Sequence, residues 1–211
     1  MKSIRKPEPL LNDLPESSSV RDRLLDNAAC LFYREGIRAV GVDLVVERSG
    51  VAKTSLYRHF KSKDDLVAAV LERDDEQYWA RWDRIAKRKS KEPRVELTAQ
   101  VQWIAQYICR PEFRGCAFLN AATEFPASDH PARFVALRHK VELRRRLRVL
   151  THRAGANGPH ELADQLILLI DGAYINGQLT GKRGPVQSLL KAAKVLIEAA
   201  TPKCVVTTDA L

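Results

Sequence analysis

The chain has 211 residues, of which 45% are hydrophobic and 29% charged, and its 35 Lys+Arg against 26 Asp+Glu give a formal net charge of +9 at pH 7. This composition is typical of a globular protein and excludes an intrinsically disordered chain, while no apolar run approaches the ~20 residues of a transmembrane helix. The N-terminal residues lack the apolar core of a secretion signal, so we expect a cytoplasmic protein that does not enter a membrane. The positive balance makes a polyanion such as nucleic acid a partner to consider.

Helical spacing of apolar residues predicts an all-α fold, and no segment shows the alternation that strands require. The expected helices, in chain order, cover residues 21–35, 42–49, 53–60, 63 to about 89, 95–109, 131–154, 161–179 and 186–200. Ser17, Ser18 and Ser19 precede the first helix and Gly36 follows it. We expect one of these serines to cap the helix and Gly36 to end it.

The second and third expected helices are too short to be stable alone. Gly50 and Val51 form the tight turn between them. Two short helices joined in this way form a helix-turn-helix, whose second helix lies in the major groove of DNA. Leu56 and Phe60 lie one helical turn apart on that second helix, and we expect them to face the core.

The segment from Val51 to Lys63 carries four cations and no acid, a local charge of +4. Cationic and hydrogen-bonding side chains on one helix face suit both base edges and phosphates. The outward-facing candidates are Lys53, Thr54, Ser55, Tyr57, Arg58, His59, Lys61 and Lys63. For Arg58 two alternatives stay open, a bidentate pair with guanine or a contact with a phosphate.

The same region contains a specific motif. Residues 56–63 read Leu-Tyr-Arg-His-Phe-Lys-Ser-Lys, and they follow Ser-Gly-Val-Ala-Lys at 49–53 and Gly-Ile-Arg-Ala-Val-Gly-Val at 36–42. This run resembles the DNA-binding signature of the TetR family of bacterial repressors, which is also similar in length and in its all-helical remainder. Residues 115–126, Gly-Cys-Ala-Phe-Leu-Asn-Ala-Ala-Thr-Glu-Phe-Pro, resemble more loosely a segment found in one subset of the family's ligand-binding domains.

The resemblance implies a helix-turn-helix DNA-binding domain at 19–66 and an effector-binding and dimerisation domain at 67–202. From the residues themselves we expect a flexible arm at 1–18 and a C-terminal tail at 203–211. The resemblance also implies a homodimer that binds an inverted-repeat operator in double-stranded DNA through one recognition helix of each subunit. A small molecule that binds the second domain would change the spacing of the two recognition helices and so release the operator. The positions at which the family contacts DNA are occupied in this chain by Lys53, Thr54, Ser55, Tyr57, Arg58 and His59. Lys63 occupies the position at which the family contacts a phosphate.

Three places depart from the family pattern. Gly41 and Val42 stand where the family usually has hydroxyls that cap the first helix of the motif and touch a phosphate, so we expect that anchor to use the backbone alone. Ala52 replaces the usual serine cap of the recognition helix, which costs ~1 kcal/mol of helix stability if no other group replaces the cap. Thr54 replaces a common glycine and adds a candidate base contact.

Most of the aromatic residues fall on the middle helices of the second domain. Core packing accounts for any single one of them, whereas an aromatic cluster with a few polar groups is how proteins hold small apolar ligands. We therefore expect an apolar or flat aromatic effector, with Asn120, Thr123, Glu124 and Asn176 as the nearest polar groups. The candidate pocket residues are Trp79, Trp82, Trp103, Tyr107, Phe118, Asn120 and Phe125.

The last two expected helices carry stripes of leucine and small residues, which allow helices to approach closely. Packing within one subunit is the simpler interpretation, but the family resemblance implies a four-helix dimer interface. The candidate interface residues are Leu166, Leu169, Ala173, Leu189, Ala193 and Leu196.

The sequence offers no recognisable catalytic or metal-binding pattern. Its histidines have no paired ligand spacing, its four cysteines match no zinc or disulfide pattern, and it has neither a Gly-rich phosphate loop nor a nucleophile elbow. We predict a protein that is not an enzyme and holds no metal or cofactor. Oxidant sensing by Cys109 or Cys116 is a minor hypothesis, and the competing function is a basic protein that packages nucleic acid or binds anionic surfaces by charge alone.

Overall fold

The computed structural model describes residues 19–201, and over this range the chain forms nine α-helices and no strand. The helices are α1 (Val20–Glu35), α2 (Val42–Ser49), α3 (Lys53–His59), α4 (Lys63–Lys89), α5 (Pro93–Ile108), α6 (Ala117–Glu124), α7 (Pro131–Arg153), α8 (Pro159–Leu179) and α9 (Arg183–Ala200). The predicted all-α fold is confirmed. None of these helices combines the length and the apolar composition that crossing a membrane requires. The predicted arm at 1–18, the tail at 203–211 and Cys204 lie outside the described residues.

Helix α6 has no counterpart among the predicted helices. It spans two turns between Gly115 and Pro126, too few for an apolar repeat to reveal a helical period. Gly115 has a φ of 88°, and a Cβ there would lie 2.6 Å from Gln178 Oε1, so the turn before α6 requires glycine.

The described helices form two compact units. The first contains α1, α2, α3 and the start of α4 up to Arg73, together with Ala121–Val135 from much later in the chain. The second contains Asp74–Asn120 and the chain from Ala136 onward. Helices α4, α6 and α7 therefore contribute residues to both units.

The first unit is organised around α1. Ser19 caps this helix, since its Oγ accepts a hydrogen bond from the Asp22 N–H at 3.1 Å, and Gly36 ends it with a φ of 96°. The apolar face of α1 packs against α2 and α3, where Leu24 and Leu56 are completely buried. Burial of this shared core stabilises two helices that are too short to persist alone.

The second unit is built on α8, which packs along α9, while α5 packs against both. Its core consists mainly of buried aliphatic side chains from α5, α7, α8 and α9. Helix α8 comes close to α5 at Gly177, where a Cβ would lie 2.8 Å from Ile108 Cγ2 and 3.3 Å from Phe113 Cε1. The packing of these two helices therefore depends on the missing side chain of Gly177.

Replacing Gly177 with alanine should destabilise the protein. Alanine favours a helix, but its methyl group would overpack the buried contact with Ile108, at a cost of about 1–3 kcal/mol. Gly184 is the matched control, because it is also helical and a Cβ at this position would have no neighbouring atom within 4 Å. Urea unfolding should show a lower midpoint for Gly177→Ala and no loss for Gly184→Ala. Equal midpoints for the two variants would show that α5 and α8 leave room for a methyl group at Gly177 and so pack less tightly than the structure indicates.

Candidate functional site

The turn between α2 and α3 fixes the direction of the third helix. Gly50 adopts the left-handed conformation, with a φ of 62°, and its N–H donates to the carbonyl of Glu47. The Ser49 hydroxyl donates to the carbonyl of Val45 at 2.7 Å and lies 3.4 Å from the carbonyl of Arg23 in α1. The end of α2 is thereby held by hydrogen bonds as well as by packing, and α3 begins directly after the turn.

Helix α3 separates an inward apolar face from an outward polar face. Leu56 is 0% exposed and the following Phe60 is 4% exposed, as the sequence predicts. Tyr57 is 48% exposed, although a phenol ring of this size is usually partly covered. The other predicted contact residues on this helix, Lys53, Thr54, Arg58 and His59, are exposed, while Ser55 and Lys63 are half-buried. The structure therefore brings six of the seven candidates onto one helix and places Lys63 at the start of α4.

The outward face is not uniformly cationic. Lys53 Nζ lies 2.6 Å from Asp43 Oδ1 in α2, and this hydrogen bond with its opposite charge raises the pKa of Lys53. Sequence reasoning missed Asp43 because it lies ten residues before its partner. This carboxylate offsets the charge of Lys53 at the start of α3, although the ammonium group has three N–H donors and Asp43 Oδ1 accepts only one of them.

The two motif helices begin without side-chain caps. Gly41 precedes α2 and Ala52 precedes α3, and neither residue has a side chain that can accept a hydrogen bond. The Ser55 N–H instead donates to the carbonyl of Ala52 at 2.9 Å. The free N–H groups at both helix starts remain able to donate to an anion such as a phosphate.

Lys63 lies near both negatively and positively charged side chains. Partial burial lowers its pKa, an effect that the carboxylates of Asp64 and Glu124 oppose and that Arg38 reinforces. Glu124 belongs to α6 and comes from the far part of the chain, so its presence beside Lys63 could not be foreseen from local spacing.

In the second unit, aromatic rings gather around one histidine. Phe118 stacks on His139 with the ring centroids 3.7 Å apart and the planes inclined by 9°. Tyr78 and Trp79 also contact this imidazole, at 4.7 Å and 5.2 Å, and Trp103 contacts Tyr78 at 4.8 Å. We call Tyr78, Trp79, Trp82, Trp103, Phe118 and His139 the aromatic cluster. It includes four of the predicted pocket residues, and its two additional members are Tyr78 and His139.

The imidazole at the centre of the cluster is held by a carboxylate. His139 Nδ1 lies 2.7 Å from Asp75 Oδ1, and because a carboxylate only accepts, Nδ1 donates. Burial lowers the pKa of His139, while the hydrogen bond and charge of Asp75 oppose this shift. Burial also raises the pKa of Tyr78. Near pH 7 the cluster therefore presents a neutral imidazole and a neutral phenol.

Three other predicted pocket residues lie elsewhere. Tyr107 contacts Phe113 at 5.9 Å in a separate aromatic group of the second unit. The amide of Asn120 donates to the carbonyl of Arg114 at 2.9 Å and so holds the loop before α6. Phe125 belongs to the first unit, where it stacks on His130 at 3.8 Å.

The two cysteines considered for oxidant sensing have different surroundings. Cys116 is buried, and burial raises the pKa of its thiol. Because the thiolate is the reactive form, this environment disfavours oxidation of Cys116. Cys109 is exposed at the end of α5.

The candidate interface residues on α8 and α9 are mainly core residues of the subunit. Leu166, Ala173, Leu189 and Ala193 are each at most 5% exposed. Five large apolar side chains of these two helices are exposed instead, namely Leu168, Ile175, Leu179, Leu190 and Val195. Of these five, Leu168 lines an open groove of about 400 Å³ between α8 and α9. Its lining residues are Leu168, Leu169, Gly172, Ala173, Asn176, Pro185, Ser188, Leu189 and Ala192.

Comparison with known proteins agrees with this architecture. The family model for bacterial regulatory proteins of the tetR family matches residues 24–70. Over most of its length, the chain is similar to a TetR-family transcriptional regulator from Streptomyces coelicolor, whose crystal structure superposes with a TM-score of 0.82. The two are 31% identical, and the match covers 86% of this chain and 96% of that one.

Two further relatives differ in the direction of regulation that their names give. The chain is 36% identical over 97 residues to the HTH-type transcriptional activator FasR of Mycolicibacterium smegmatis, a match that covers 46% of this chain and 43% of FasR. It is 28% identical over 166 residues to the HTH-type transcriptional repressor ComR of Escherichia coli, covering 75% and 79% of the two chains. The FasR match thus spans less than half of that relative. The helix-turn-helix, the helical second unit and these similarities together show that the chain belongs to the TetR family of DNA-binding transcriptional regulators, which are not enzymes.

Proposed function

We propose that the protein is a cytoplasmic, homodimeric repressor that binds an inverted-repeat operator and releases it when a small apolar or aromatic molecule binds the second unit. The observation that carries this proposal is the exposed polar and cationic face of α3, held on a buried apolar face. The relatives include both an activator and a repressor, so repression rests on the family's usual mode of action.

DNA recognition by α3 is supported by the side chains that the helix exposes. Arg58 can donate two parallel hydrogen bonds to one guanine or contact a phosphate, and Thr54 and His59 can form single hydrogen bonds. The half-exposed ring of Tyr57 offers apolar contact as well as a hydroxyl. Leu56 fixes the rotation of the helix by its complete burial, so these groups present one defined surface. We propose Lys53, Thr54, Ser55, Tyr57, Arg58, His59 and Lys63 as the DNA-contacting residues.

Dimerisation is supported by the outer side of α8 and α9. Leu168 and Leu179 are 74% and 76% exposed and lie three helical turns apart on α8, and Leu168 lines the groove of about 400 Å³. A second copy seated on this side would cover them, and a twofold axis would present two α3 helices to two half-sites. Of the candidate interface residues, Leu169, Ala173 and Leu189 line the groove that a second copy would cover. Leu166 and Ala193 are buried and position the two helices from the core side, and Leu196 is half-buried on α9.

Effector binding is supported by the aromatic cluster and by two buried polar atoms near it. Among the described residues, Trp103 Nε1 and Gln100 Oε1 are buried and have no hydrogen-bond partner. They lie one helical turn apart on α5, so a donor and an acceptor are available beside aromatic walls. A flat ligand that carries one hydroxyl or amide group fits such surroundings. The amide nitrogen of the same Gln100 is already used, since it donates to the carbonyl of Trp82 at 3.1 Å.

Selection of bound fragments from random DNA tests the proposed function. We expect a short inverted repeat that the protein prefers over random DNA by ~1000-fold or more. A protein that packages nucleic acid or binds anionic surfaces by charge alone would yield no common sequence and would lose affinity steeply with salt. Recovery of only unrelated fragments would contradict the proposal in favour of that second function.

The effector is tested with the selected operator in hand. All three tryptophans of the chain lie in the second unit, so their fluorescence reports ligand binding there without interference from the DNA-binding unit. We expect a flat aromatic compound with one polar group to change this fluorescence and to lower operator affinity over the same concentration range. The Arg58→Ala variant is the control, because it should show the fluorescence change without binding the operator. Ligands that change the fluorescence and leave operator affinity unaltered would contradict release by an effector.

A further inference from the structure

Glu124 makes an unusual pair of contacts for the last residue of a helix. Its Oε1 accepts a hydrogen bond from the Ile37 N–H at 3.1 Å, and its Oε2 accepts one from the Arg38 N–H at 2.7 Å. Both donors are backbone groups of the connection between α1 and α2, which lies 86 and 87 residues earlier in the chain. One carboxylate therefore holds two successive peptide groups with charge-assisted hydrogen bonds.

The connection that Glu124 holds leads directly into the DNA-binding motif. Ile37 and Val40 anchor its apolar side, at 5% and 0% exposure. Gly41, which precedes α2, has no side chain to orient the helix start. The carboxylate of Glu124 thus restrains the entry into α2 at the point where the motif has no capping side chain of its own.

A second set of contacts holds the segment that follows Glu124. The Ala132 N–H donates to His130 Nδ1 at 3.2 Å, so the other ring nitrogen, Nε2, carries the proton. That Nε2 lies 3.5 Å from Asp64 Oδ1 in the first turn of α4, and Phe125 stacks on the same imidazole. The segment is consequently attached both before α2 and after α3, at the two ends of the recognition motif.

The charge of Glu124 and its hydrogen bonds have opposite expected effects on DNA affinity. The carboxylate lies near Lys63, whose pKa it influences, and near Arg38. A negative charge near cations of the DNA-binding unit should weaken phosphate binding. Two hydrogen bonds that orient the motif should strengthen sequence recognition, because base contacts depend on placement. Whether a substitution at Glu124 lowers or raises DNA affinity therefore shows which of the two effects is larger.

We propose that Glu124 is a positioning residue for DNA recognition, which sets the orientation of α2 and α3 through the backbone N–H groups of Ile37 and Arg38. The residue touches no DNA itself. This inference rests on the proposed DNA-binding function, and it adds a residue from α6 that no motif of the DNA-binding segment contains.

The experiment compares Glu124→Gln with Asp129→Asn. Both variants lose one negative charge from the same segment of the first unit, but only Glu124 holds the connection before α2. Fluorescence anisotropy should show that Glu124→Gln lowers affinity for the selected operator by ~10-fold or more and leaves affinity for random DNA unchanged or slightly higher. Asp129→Asn should retain the affinity of the natural protein for both DNAs.

The ratio of operator affinity to random-DNA affinity distinguishes a positioning role of Glu124 from a simple loss of folding. A variant that is partly unfolded would lose affinity for both DNAs in equal proportion, whereas a misplaced α3 loses only the specific contacts. Glu124→Asp adds an independent check, because it keeps the charge but shortens the reach to the two N–H groups. It should also lose specific affinity, and amide hydrogen exchange at Ile37 and Arg38 should accelerate in both Glu124 variants.

Two results would overturn the proposal in distinguishable ways. If Glu124→Gln or Glu124→Asp binds the operator as tightly as the natural protein, Glu124 does not position the motif, although the proposed function stands. If the natural protein itself selects no DNA sequence, the proposed function fails and the proposal fails with it.

Discussion

Replacing Arg58 with alanine should reduce operator affinity by ~30-fold or more. An arginine that reads a guanine contributes about 1–3 kcal/mol to discrimination, and a dimer presents the residue twice, so the expected loss is about 2–6 kcal/mol. Tyr57→Ala should have a comparable effect, because it removes a 48% exposed ring from the same face of α3. Anisotropy titration with the selected operator measures both losses.

The matched control for Arg58 is Arg34→Ala. Arg34 is also exposed and lies in the last turn of α1, so the variant loses the same charge outside the recognition helix. Thermal melting and molar mass should be unchanged in all three variants, since none of these side chains is buried. Operator affinity that survives both Arg58→Ala and Tyr57→Ala would show that α3 is not the recognition helix.

The salt dependence of these variants decides between the two roles of Arg58. If Arg58 contacts a phosphate, its removal weakens binding to all sequences and reduces the slope of log affinity against log salt by ~1 for each subunit. If it reads a guanine, the slope is nearly unchanged and the selected sequence becomes less defined at that base. Repeating the titration at several salt concentrations distinguishes these outcomes.

Replacing Leu168 with glutamate should convert the protein into monomers. Leu168 is 74% exposed on α8 and lines the groove that we propose a second copy covers. A twofold axis would bring two carboxylates into a largely apolar contact, at a cost of several kcal/mol. Sedimentation or light scattering measures the molar mass. Operator affinity should fall by ~100-fold or more, because the second half-site is no longer linked to the first.

Val95→Glu is the control for this substitution. Val95 is an apolar residue with 38% exposure on α5, and it does not line the groove. The variant introduces the same charge and should remain dimeric with full operator affinity. A Leu168→Glu protein that stays dimeric would place the dimer interface on another surface.

Much of the DNA-binding unit could be predicted because its signals are local. The Leu-Tyr-x-His-Phe motif, Gly50 and the helical spacing of Leu56 and Phe60 all lie within a short stretch. Gly50 requires a left-handed turn and the apolar pair requires burial, and the structure shows both. The bounds of α2 agree with those expected, and α3 ends one residue earlier because Phe60 adopts an extended conformation.

The contacts that sequence reasoning could not predict join residues far apart in the chain. Glu124 and Phe125 are a polar and an aromatic residue of the kinds expected to line an effector pocket. Only the tertiary fold shows that they belong to the first unit. His139 likewise lies on the helix predicted at 131–154, with no local sign that Phe118 and Asp75 would surround it. Periodicity indicates which face of a helix is buried and carries no information about its partner.

The insertion of residues 74–120 into the first unit has a consequence for biosynthesis. N-terminal domains generally fold first as the chain leaves the ribosome. Here the hydrogen bonds from Ile37 and Arg38 form only after Glu124 has been synthesised. The contact of Asp64 likewise forms only after His130 has been synthesised. A newly made chain therefore cannot form these restraints on the helix-turn-helix until α4, α5 and α6 have been translated.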